Sequence, residues 1–124
     1  MPIEIVQDSN DVLRVRIQEV LHIIHKEYQK DISLDYLAQR VFISPCYLST
    51  LFSKLVGTSL LAYINDYRMH QAVSLLTQTD TTVTDICYLV GYRNLPYFCT
   101  CFKTKYHMTP AQYRRSSVEL AEVS

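Results

Sequence analysis

Glycine is scarce in this 124-residue chain: Gly57 and Gly91 are the two, beside four prolines. So few flexible or turn-forming residues leave no Gly-rich phosphate cradle and little room for the many turns of a β-rich fold, which favours an all-helical one. Net charge is also missing, since 12 Lys and Arg balance 12 Asp and Glu. Taken as a total, that argues against nucleic acid as a partner. No apolar run approaches the length of a membrane span and no signal-peptide pattern opens the chain, so no membrane partner and a cytoplasmic location are expected. The four cysteines (46, 87, 99 and 101) lack zinc-site spacing. Cys99 and Cys101, two apart on a helix, diverge instead of converging on one ion. His22 and His25 are three apart but have no carboxylate or thiol placed to complete a site. No His is spaced to activate Cys46 or Cys99, and no acid orients one. No metal, no cofactor and no enzyme activity are therefore expected.

What is present is helical periodicity with strong start signals. Residues 1–10 read as an N-terminal tether. Val12, Val15, Val20, Leu21 and Ile24 then stripe a helix from Asp11 to about Tyr28. Ser33 caps SLDYLAQRV, and Ser44-Pro45 opens CYLSTLFSKLV, which ends at Gly57. Ser59 starts a long connector over 59–79; about twenty helical residues span roughly 30 Å, close to the ~34 Å of one turn of B-DNA. Thr82, with Asp85 three residues on, caps a short helix that leaves sharply at Gly91. Asn94 caps the next helix, with Pro96 in its first turn.

The chain also repeats itself. At an offset of fifty, Tyr47, Leu48, Thr50 and Phe52 fall on Tyr97, Phe98, Thr100 and Phe102. At forty-nine, Leu34, Leu37 and Val41 fall on Val83, Ile86 and Val90. Two copies of one helix-turn-helix follow, the second with a turn one residue longer. The expected architecture is all-α, about seven helices: a first helix-turn-helix subdomain over 11–58, a connector helix over 59–79, a second subdomain over 80–115, and a C-terminal tail over 116–124.

Between Ile86 and Arg114 the chain reads I-C-x-x-V-G-Y-x-N-x-x-Y-F-x-x-x-F-K-x-x-x-x-M-T-P-x-x-Y-R. This closely resembles the C-terminal signature of AraC/XylS-family transcription regulators, over roughly residues 15 to 114. The resemblance implies sequence-specific binding of double-stranded DNA by a bacterial regulator, most often an activator touching RNA polymerase. It implies two recognition helices in successive major grooves, and a sensing or receiver domain elsewhere in the full-length protein. A helical protein-interaction module without DNA binding is the alternative, favoured by the neutral total. The charge distribution speaks for DNA: Arg93, Lys103, Lys105, Arg114 and Arg115 lie in a stretch without a single acid, while acids gather before Ser33.

The base-contacting positions that the family implies map onto Cys46, Ser49, Thr50 and Ser53 of the first reading helix and Pro96, Cys99, Thr100 and Lys103 of the second. Family members often carry Arg or Gln where Thr50 and Thr100 stand here. Thr offers a hydroxyl or a thymine-methyl contact and cannot grip guanine with two donors. Ser44, Lys54, Arg93 and Lys105 are the expected phosphate contacts, helped by amides at the starts of both helices. His107 stands where the family usually has Gly, so a left-handed residue is expected there. Arg68, amid the connector's apolar arc, is expected to form a buried structural ion pair with Asp85.

Overall fold

The computed structural model describes the backbone of residues 2–123 and the side chains of residues 11–120. Among the described residues there are seven helices and no strand: α1 (Pro2–Glu27), α2 (Leu34–Arg40), α3 (Pro45–Val56), α4 (Leu60–Gln78), α5 (Val83–Leu89), α6 (Leu95–Tyr106) and α7 (Pro110–Val123). The all-α class read from the sequence holds. The tether expected over 1–10 falls on side chains outside the described residues; the α1 backbone is helical from Pro2 onward, earlier than the expected start at Asp11. At the other end, 116–123 continue α7 instead of forming a separate tail.

The chain divides into two compact units, residues 1–65 and 66–124, with the division inside α4. In the first unit, Ile17, Val20 and Ile24 of α1, Leu37 and Ala38 of α2, Leu48 and Phe52 of α3, and Leu60 and Ile64 of α4 form one apolar core. In the second, the later half of α4 contributes to the core. Its Met69, Ala72 and Leu76 are buried, as are Ile86 and Cys87 of α5, Val90, and Phe98 and Phe102 of α6. Each large apolar side chain fully buried in these cores stabilises the fold by about 1.5–3 kcal/mol.

The repeat seen in the sequence extends to individual hydrogen bonds. Ser33 Oγ accepts from Tyr36 N–H at 3.0 Å and Thr82 Oγ1 from Asp85 N–H at 3.1 Å. Ser44 Oγ accepts from Tyr47 N–H and Asn94 Oδ1 from Tyr97 N–H. Ser59 caps α4 and Thr109 caps α7 in the same manner. Such caps satisfy otherwise orphaned helix donors and contribute about 1 kcal/mol each. The turns match as well: Ile43 N–H reaches Ala38 O at 3.1 Å, and Tyr92 N–H reaches Cys87 O at 3.0 Å. Both turns need a left-handed residue, which is Gly91 (φ 104°) in the second unit and Phe42 (φ 62°) in the first. Sequence reading foresaw the former and missed the latter. Behind each reading helix an aromatic pair meets edge to face, Phe52 with Tyr63 and Phe102 with Tyr113.

Candidate nucleic-acid interface

α3 and α6 are the two helices that follow the matched turns, and burial fixes which way each one faces. Leu48, Leu51 and Phe52 turn α3 inward, and Phe98 and Phe102 turn α6 inward. The opposite faces are open. Cys46, Thr50, Ser53 and Lys54 are exposed on α3, as are Pro96, Thr100 and Lys103 on α6. Two of the expected contacts sit off-centre. Ser49, though exposed, lies on the flank of α3, where it lines an apolar groove of about 280 Å³ with Ile32, Leu34, Leu60, Leu61 and Ile64. Its counterpart Cys99 is half-buried, and burial pushes its thiol above the ordinary value. Cys87 is wholly buried in the second core, as its apolar position required, and Cys101 is half-buried beside Tyr97.

The hydroxyls on the outer faces have defined directions. Thr50 Oγ1 donates to Cys46 O at 3.2 Å. Thr100 Oγ1 donates to Pro96 O at 3.0 Å, and Thr104 Oγ1 to Thr100 O at 2.9 Å. Sequence reading missed Tyr47 and Tyr97, which stand exposed beside the two threonines at the same offset of fifty. The repeat itself carried that signal, since both tyrosines fall outside the buried registers of their helices.

The cations are fewer in practice than in the sequence. Lys54 and Lys103 are exposed in the last turns of α3 and α6, and Arg93 is exposed in the turn before α6. Lys105 Nζ pairs with Asp66 Oδ1 at 2.9 Å, with both ends open to solvent, where such pairs are weak. Arg114 points inward, donating through Nε to Leu76 O at 3.1 Å and through Nη2 to Thr79 O at 3.2 Å and Thr81 O at 2.5 Å. Ser44 accepts the Tyr47 amide, and because Pro45 has no N–H, the first amide of α3 belongs to Cys46.

The expected Arg68–Asp85 pair needs correction. Arg68 is half-buried, with its guanidinium carbon 5.7 Å from the centre of the Tyr92 ring, a cation–π placement. Asp85 is exposed in the first turn of α5, where the positive end of the helix dipole suits it. Neither residue is fully buried, so the two do not form the buried pair expected. A guanidinium that keeps access to water does not require a buried counter-charge, which was the premise of the pairing. His107, in contrast, is left-handed as expected, at φ 64° and ψ 19°, and its N–H closes α6 onto Lys103 O.

The model of the helix-turn-helix domain family matches residues 37–116, both reading helices included. This chain belongs to that family, in its AraC-type form. It is similar to an HTH-type transcriptional regulator of Bacillus subtilis, YtdP, at 40% identity over 96 residues, covering 77% of this chain and 12% of that protein. It is 38% identical over 94 residues to the bifunctional transcriptional activator and DNA repair enzyme AdaA of the same organism, covering 76% of this chain and 44% of that protein. The crystallised C-terminal domain of the response regulator yesN from Fusobacterium nucleatum is 34% identical, with a TM-score of 0.76, covering 78% of this chain and 95% of that domain. The chain thus spans less than half the length of these two curated relatives.

Proposed function

We propose that this AraC-type chain is the sequence-specific, double-stranded DNA-binding unit of a bacterial transcription regulator, with α3 and α6 each laying its outer face in a major groove, in successive grooves of one duplex. The observation that carries the reading is the matched pair of open helix faces, Thr50 beside Tyr47 and Thr100 beside Tyr97, on two units built by the same caps and turns. Neither core requires the two threonines outside. The regulator is an activator that works through RNA polymerase, and a sensing or receiver domain is joined to this unit in the full protein. The activator named among the relatives, and the response-regulator domain with this fold, support that assignment.

Charge sets the form of the binding. With Arg114 turned inward, Lys54, Lys103 and Arg93, all exposed at the ends of the reading helices, are the cations assigned to phosphates. Three neutralised phosphates give a slope of about −2.7 in log affinity against log salt, or roughly a 40-fold loss between 50 and 200 mM. Fluorescence anisotropy on short labelled duplexes measures this directly. An affinity that stays flat across that range overturns the reading and leaves the protein-interaction module in its place.

A further inference from the structure

The hydroxyl proton of a threonine can be given once. In this structure Thr50 gives it to Cys46 O and Thr100 gives it to Pro96 O, so each Oγ1 faces outward as an acceptor alone, and the γ-methyl is the remaining group on Cβ. Helix stability does not account for either residue. Threonine is a poorer helix former than alanine, back-bonding of this kind slightly weakens helices, and both positions are exposed, so no packing compensates.

Each base pair shows a distinct pattern in the major groove. A G·C pair presents the guanine acceptors N7 and O6 and the cytosine N4 amino donor, so an acceptor alone does not tell it from A·T; the thymine methyl does. An A·T pair presents the adenine N6 amino donor and the thymine C5-methyl, matching an acceptor and a methyl. We infer that Thr50 and Thr100 are specificity-determining residues that each select an A·T pair, principally by packing the threonine γ-methyl against the thymine methyl, so that each half of the operator carries one obligatory thymine. This inference rests on the DNA-binding reading above.

The test separates methyl from hydroxyl. The 124-residue chain first selects its preferred duplex from a random pool; each thymine of that duplex is then replaced singly by deoxyuridine, which removes only the C5-methyl. Two positions should lose about four-fold in affinity, the equivalent of ~0.8 kcal/mol for one buried methyl at 1.4 kcal/mol per factor of ten. Thr50→Ser should abolish the penalty at one position and Thr100→Ser at the other. The corresponding Val variants keep a γ-methyl and should keep the penalty. Melting temperatures of all four variants show that the fold is retained. A flat deoxyuridine scan on an enriched duplex sinks this inference while leaving DNA binding intact. Val variants that lose the penalty while Ser variants keep it also sink it, because the hydroxyl would then be the reader. If no duplex is enriched at all, the functional reading falls together with it.

Discussion

Arg114 holds the end of α4 to the start of α7, and the cost of losing it can be worked from its three bonds. Its acceptors, Leu76 O, Thr79 O and Thr81 O, belong to the last turn of α4 and the loop that leads to the Thr82 cap. A helix C-terminus leaves its carbonyls without amide partners and carries partial negative charge, so a guanidinium there answers both needs. A hydrogen bond to a charged group is worth about 1.5–3 kcal/mol when buried. The Thr79 bond is exposed and the other two are part-buried, so water regains much of that on removal. About 2 kcal/mol remains. At roughly 4 °C per kcal/mol for a domain of this size, Arg114→Met should melt about 8 °C below the parent. Met keeps most of the apolar stem, so the loss reports the guanidinium. Arg114→Lys should recover only part, because one ammonium cannot reach three carbonyls arrayed for a planar fork. Circular-dichroism melts of the three proteins decide it. An unchanged melting temperature in Arg114→Met, with DNA affinity lost, would refute the clamp and place Arg114 among the phosphate contacts.

Two further predictions concern backbone and pH. His107→Gly should raise stability by about 0.5–1 kcal/mol, since relief of a left-handed non-Gly residue outweighs glycine's added freedom in the unfolded chain. Gly57→Ala, the matching position of the first unit, should lower it by about 1 kcal/mol through strain alone, as an added Cβ meets nothing within 4 Å; urea titration reads both. Glu27 accepts from Tyr36 Oη at 2.6 Å and from Arg40 Nη1 at 3.0 Å, and the Tyr36 bond first, then Arg40, holds its carboxyl below the ordinary 4.5. A depressed carboxyl contributes stability above 4.5 that is lost as pH falls through the folded value. The parent should therefore lose more stability on acidification below 4.5 than Tyr36→Phe does, and parallel stability curves for the two proteins would count against this account.

How far the sequence spoke for this structure depended on the range of each interaction. Ser33, Ser44, Thr82 and Asn94 announced their helices because a cap bonds to an amide three residues away. The buried stripes were equally legible, since 3.6-residue periodicity is a local property. Phe42 hid a left-handed turn because no glycine marks it, and only its alignment with Gly91 in the repeat could have exposed it. Polar pairs distant in sequence were opaque. Asp66 binds Lys105 across thirty-nine residues and Arg114 reaches Leu76 across thirty-eight, and no spacing rule encodes either one. The Arg68–Asp85 pairing is of that kind: it took Asp85 for its place at the start of α5, whereas the guanidinium lies over Tyr92.

The same distinction bears on where specificity resides. Matched residues at buried registers, Leu48 with Phe98 or Phe52 with Phe102, need no functional cause, because packing demands an apolar side chain there. The outer faces are under no such demand, and they diverge: Cys46 against Pro96, Ser53 against Lys103, Lys54 against Thr104. Against that divergence, two exposed pairs stay matched, Tyr47 with Tyr97 and Thr50 with Thr100. Tyr97 keeps a tilted ring contact with the buried Tyr92, but no core or cap side chain requires the threonines, which weaken the helices they sit on. The divergent positions would let the two units read different flanking bases. The matched ones place the same acceptor and methyl at the same register of both helices, so the two half-sites should differ in their flanks and agree at one A·T pair.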